Sequence, residues 1–409
     1  MTDLKTRPLT DDEWAGYKTH IAHAFLEDPD PQETVTMREL FPGDRFHAVD
    51  DGGRLIGGGG IQTRTMTLVG AGPTPVAAVS YVGVRPDARG RGALTALMRT
   101  QLDELHTAAA EPVAALWASQ APIYARFGYG LASRAAELTI ATPSPFRPDI
   151  ARSGEVRWLD EPEAAPLLRE LHSQVVGQRV GWVSRIEANW RWWVFDAGPG
   201  RSWTARRYAL HHGVDGAVDG YAAFRTKSKW ETTGPEHELS IKELVAVTPE
   251  AHAGLWRSLL DLDLVARAHH GLVGLDDPLL SMLVNPRGVI TSVRDGLWVR
   301  LVDVDRALAA RRYRAACELV LEVSDPFCAW NAGRWRLKVD DTGAAAVEPT
   351  TAEPDLSCDV DDLGAAYLGG TRLTALAAAG RVRELRPEAV VTASRAFVGD
   401  SEPSCPEVF

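Results

Sequence analysis

Apolar residues recur along this chain in two rhythms, one helical and one extended. Leu94, Leu97, Met98, Leu102 and Leu105 fall at three-, four- and eight-residue steps, which predicts an amphipathic helix. The apolar run at residues 79–84 before it predicts a strand, and a loop carrying Arg89, Gly90, Arg91 and Gly92 joins the two. Such a loop can aim several backbone N–H groups at one point, where the helix dipole already favours an anion. These residues predict a pyrophosphate cradle; the alternative is a plain solvated turn.

The flanking pattern extends this unit in both directions. Residues 9–26 predict an amphipathic helix with Thr10 as N-cap and Glu13 three positions on, and residues 34–40 a second helix. Residues 54–67, broken by the glycines at 57–60, and residues 76–84 read as antiparallel strands. An apolar run at 113–119 has strand length, and IYARFGYG follows from Ile123. A strand begins at 138–140, and the Pro-rich ATPSPFRPD after it sets a boundary near residue 150. From residue 293, DGLWVRLVDV, CELVLEV and WRLKVD read as strands and residues 361–367, 372–379 and 387–398 as helices, which predicts an α+β domain. The expected domains are therefore 1–150, 151–292 and 293–409. The tail SEPSCPEVF, with two prolines, reads as extended.

The middle domain repeats part of the first. Val245, Val247, Pro249 and Ala251 each lie 163 residues after Val82, Val84, Pro86 and Ala88. At that spacing His252 stands for Arg89 and Leu255 for Gly92, so a second copy of the unit has lost its anion loop.

At 409 residues the chain exceeds one ordinary core, in keeping with several domains. Its net charge of -11 argues against a nucleic-acid or anionic-membrane partner and favours a cationic substrate. Eight of the 13 tryptophans fall in residues 151–292; without a basic background, packing explains them better than base stacking. No signal-peptide pattern opens the sequence and no run reaches the roughly 18 apolar residues of a membrane span, so a cytoplasmic protein is expected. Cys317, Cys328, Cys358 and Cys405 lack CxxC spacing and read as reduced structural thiols. The pairs His211-His212 and His269-His270 lack a third ligand at helical spacing and read as core or solvated residues, so no metal is expected.

YVGVRPDARGRG, AALWASQAPIYARFGYG, ELVAVTPEAHAGLWRSLLDLD, DGLWVRLVDV, YLGGTRLTALAAAGR and the terminal phenylalanine resemble the enhanced intracellular survival group of aminoglycoside N-acetyltransferases, within the GNAT superfamily. The resemblance covers nearly the whole chain. It implies an α+β architecture: tandem GNAT folds, the second degenerate, and a C-terminal domain similar to sterol carrier proteins. It further implies a homohexamer, acetyl-CoA as co-substrate and a cationic amine as acceptor, with direct transfer in a ternary complex.

Position by position, the resemblance implies that Val82 and Val84 offer backbone groups to the pantetheine arm. Arg89, Gly90, Arg91 and Gly92 hold the pyrophosphate, and Ser119 lies beside the cofactor. The same resemblance makes Tyr124 the general acid and the α-carboxylate of Phe409 the general base; read alone, Tyr124 is better explained as a core aromatic. Phe25, Glu27, Met37 with Arg38, Tyr81 and Glu407 line the acceptor pocket. The sequence departs from the family pattern at Glu27 (usually Asp), Met37 (usually Trp) and Val408 (usually acidic). Other readings are a protein-lysine or biosynthetic-amine acetyltransferase, or a non-catalytic lipid or sterol binder acting through residues 293–409.

Overall fold

Thr10 and Glu13 close the predicted capping box, so a 3-10 turn at Asp11–Glu13 leads directly into helix α1 (Trp14–Phe25). In the computed structural model, which describes residues 4–29, 37–195 and 202–409, this helix lies on a seven-stranded sheet. The helix predicted at residues 34–40 lies partly outside the described residues.

The sheet begins β1 (Leu4–Pro8), β2 (Phe46–Asp51), β3 (Arg54–Leu68), β4 (Gly72–Val84), β5 (Val113–Trp117). Strand β3 is continuous, where the sequence suggested a break at residues 57–60. A Cβ on Gly58 would lie 2.3 Å from the His47 carbonyl oxygen, and one on Gly60 2.3 Å from the Phe46 ring. The glycines let Phe41, Phe46 and Tyr17 pack directly on the strand backbone; they mark close approach within a strand. Helix α2 (Ala93–Ala108) covers the other face, burying Leu97, Met98, Leu102 and Leu105 as its spacing predicted.

Two strands are exchanged between this sheet and the next. Leu297–Leu301 inserts antiparallel between β5 and Gly130–Leu131, completing the first sheet from the far side of the middle domain. Arg134–Ala141 crosses the other way, pairing with Val265–Val273 and Val289–Asp295 in a second seven-stranded sheet. The boundaries near 150 and 292 therefore do not follow sheet membership. Alternation of apolar residues shows that a segment is a strand, and says nothing of which sheet it joins.

The third domain is a five-stranded sheet, ordered Ala345–Pro349, Gly333–Val339, Cys317–Ser324, Leu356–Asp359, Arg383–Glu384. Helices Val360–Ala366, Leu373–Ala378 and Ala389–Phe397 fall where the sequence placed them. All four cysteines are free thiols. Among the described residues no helix is long and apolar enough to cross a membrane.

Candidate functional site

The site grows out of a place where two parallel strands part. β4 and β5 pair only at Val76 with Val113, Ala77 with Ala114, and Ala78 with Ala115. Beyond that point β4 carries a bulge: Gly58 faces Gly83 and Gly60 faces Ser80, leaving Tyr81 and Val82 opposite Gly59. Tyr81 adopts a positive φ of 54°. The buried Tyr17 hydroxyl of α1 donates to the Tyr81 carbonyl oxygen at 2.6 Å and clamps this strained step. Tyr17 was missed as a site residue because its helical spacing reads only as core; nothing local marks its partner 64 residues on.

A cavity of about 800 Å³ opens where the strands diverge, large enough for a drug-sized ligand. Phe25, which the resemblance assigned to the acceptor pocket, lines it together with Tyr124 and with Val82, Val84, Arg89, Gly90, Gly92 and Ser119, which it assigned to catalysis and the cofactor. Leu94, Gln120 and Arg126 line it as well and were not predicted. Gly90 and Gly92 hold φ of 76° and 91°, a conformation that costs glycine least and turns the loop onto the start of α2. A Cβ on Gly90 would meet nothing within 4 Å, so the loop is open for an anion to approach its backbone.

Other predicted residues lie elsewhere. Arg91 turns out to Asp51 at 3.1 Å and does not line the cavity. Met37 is buried, its sulfur accepting from the Tyr81 hydroxyl and the Lys18 ammonium, each at 2.7 Å. Glu27 is exposed, and Arg38 pairs with Asp11 at 2.6 Å.

Glu407 is no open acceptor ligand: it is buried and its carboxylate is held by Arg64 at 2.6 Å and by Arg185. Arg185 also grips Glu243, which accepts from the Tyr221 hydroxyl at 2.5 Å. Burial alone would raise the Glu407 pKa, yet the two guanidinium groups hold it below the ordinary carboxylate range. Phe409 is largely buried, its ring 5.7 Å from the Arg64 guanidinium. Burial pushes the Tyr124 phenol up to about 12, so it stays protonated across the physiological range.

Parallel strands that part beside a glycine-bearing loop at a helix start are the architecture of the GNAT acetyltransferases, which use acetyl-CoA. Acetyltransferase (GNAT) domains match residues 5–132 and 181–301, and a sterol carrier protein domain matches residues 304–406. An uncharacterized N-acetyltransferase of Streptomyces avermitilis is 37% identical over 407 residues, covering 98% of this chain and 99% of its own. N-acetyltransferase Eis of Mycobacterium tuberculosis is 33% identical over 408 residues, 96% of each chain. The crystal structure of Eis1 from Mycobacterium abscessus superposes with a TM-score of 0.84 at 33% identity, covering 99% of this chain and all of that one. The chain belongs to the Eis family of N-acetyltransferases.

Proposed function

We propose that this protein acetylates an amine of a cationic small molecule, an aminoglycoside being the first candidate, by direct transfer from acetyl-CoA within a ternary complex. The observation that carries the reading is that Tyr124, Val82, Val84 and Ser119 line one cavity together with Arg89, Gly90 and Gly92. In this mechanism residues 89–92 cradle the pyrophosphate and the divergent edge of β4 offers its backbone to the pantetheine arm. An acceptor amine must lose a proton before it attacks; the Phe409 α-carboxylate takes it, directly or through water. Tyr124 then protonates the departing thiolate.

The acceptor pocket expected from the sequence is less acidic, because Arg64 and Arg185 neutralise Glu407. That favours, as a second reading, a less highly charged acceptor such as a biosynthetic amine or a protein lysine. The cytoplasmic, homohexameric enzyme that the family resemblance implies suits either acceptor.

The test is CoA release with a panel of aminoglycosides, polyamines and lysine peptides, with products read by mass spectrometry. Tyr124→Phe and a chain extended beyond Phe409 are compared with wild type on the best acceptor. Full activity in both variants would remove the proposed acid and base, and turnover of lysine peptides alone would favour the second reading.

A further inference from the structure

The second GNAT unit reproduces the divergence of strands that makes the cofactor cavity in the first. His237–Ala246 and Val265–Val273 run parallel and pair as far as Ile241 with His270, then separate. Ile241 lies 163 residues after Ala78, the last paired residue of β4, so the two gaps open at equivalent positions. The second gap holds only about 140 Å³. It is lined by Lys242 and Leu244 from one strand, Val273 from the other, and Ser401, Ser404 and Pro406 of the C-terminal tail.

The tail is fastened there by its backbone. The Ser404 N–H donates to the Val180 carbonyl oxygen at 3.0 Å, and the Glu402 N–H to the Asp276 carboxylate at 2.9 Å. Trp193 donates its indole N–H to the Pro406 carbonyl oxygen at 2.9 Å. Gly181 passes so close that a Cβ there would lie 2.6 Å from the Ser404 carbonyl oxygen. One residue past this seat, Glu407 enters the buried pair of arginines, Arg64 from the first sheet and Arg185 from the middle unit.

We infer that the degenerate GNAT unit is the seat of the C-terminal segment. Its strand gap, which in the first unit admits a cofactor, is closed by residues 401–406, and the Glu407 ion cluster fixes where residues 408–409 end. The inference rests on the reading of Phe409 as the base, for which Gly181, Asp276 and Glu407 are then positioning residues. None of the three lines the larger cavity; they hold the carboxylate in place, and a displacement of about 1 Å is enough to cost a factor of about a hundred in rate.

The test uses the full-length chain with Gly181→Val and, since a side chain at its φ of 89° is strained, Asp276→Ala as the milder variant. Amide exchange of residues 401–409, affinity for CoA and kcat on the best acceptor are measured. The seat predicts Ser404 and Glu402 amides exchanging about tenfold faster or more, kcat falling at least about tenfold, and CoA affinity unchanged. Unaltered exchange in both variants would show that the tail is held elsewhere. Faster exchange with kcat intact would remove the positioning role, and loss of CoA affinity in both would make it a general structural one. If extension beyond Phe409 leaves activity intact while the exchange result stands, the seat survives and the base assignment alone fails.

Discussion

In the first unit Pro86 opens a single 3-10 turn, and residues 89–92 follow before the helix starts at Ala93. In the second, Pro249 is already the first residue of the helix Pro249–Leu260. Residues equivalent to the loop are helical there: Ala253 stands 163 positions after Gly90 and Leu255 after Gly92, both buried. The Thr248 hydroxyl accepts from the Ala251 N–H at 3.1 Å, and the His252 N–H bonds the Thr248 carbonyl at 3.1 Å. N–H groups left open to a ligand in one unit are satisfied internally in the other. An anion site on a helix terminus thus depends on where the helix starts as much as on which residues surround it.

The sharpest way to break the comparison is to silence the first gap. Tyr124→Phe should lower kcat by about a hundredfold to ten-thousandfold with CoA binding retained, checked by steady-state CoA release and calorimetry. Next comes the ion cluster linking the units. Glu407→Ala leaves two buried guanidinium groups short of a partner and should cost about 3–5 kcal/mol of stability, read from the denaturant midpoint. Because the folded-state pKa of Glu407 is depressed, its contribution is complete above an unfolded value of about 4.3 and is lost as pH falls through the lower folded value. The wild type should lose stability in that acid range more steeply than Glu407→Ala.

A smaller effect is expected at the loop. Gly90→Val forces a branched side chain onto a φ of 76° and should raise the acetyl-CoA KM about tenfold with little change in melting temperature. The smallest concerns the second unit. Ala253→Gly should lower stability by about 1 kcal/mol and confer no second CoA site, since the helix containing it does not revert to a loop. Calorimetry showing two CoA per chain would overturn the contrast.

The residues that announced themselves in sequence act through local geometry. The capping box at Thr10, the buried face of α2, the loop glycines and the strand-length run at Val113 each depend on neighbours within a few positions. So does the echo between Val82 and Val245, which a fixed spacing exposes. What stayed hidden depends on distant partners. The resemblance put Glu407 in the acceptor pocket, and its sequence neighbours give no sign of Arg64 or Arg185. Tyr17 was one unremarked position in the helix predicted at residues 9–26, and the traded strands Arg134–Ala141 and Leu297–Leu301 carry patterns that suit either sheet.

That trade of strands bears on how the chain is made. Until Leu297–Leu301 has been synthesised, β5 presents an unpaired apolar edge, VAALW, to its surroundings. At about 5–20 residues per second the wait after Leu131 is on the order of ten seconds or more, spent with the first sheet unfinished. The catalytic unit therefore cannot complete its fold as an independent N-terminal domain during translation. A fragment ending at residue 132 should aggregate, and adding a peptide spanning residues 296–302 should keep it in solution.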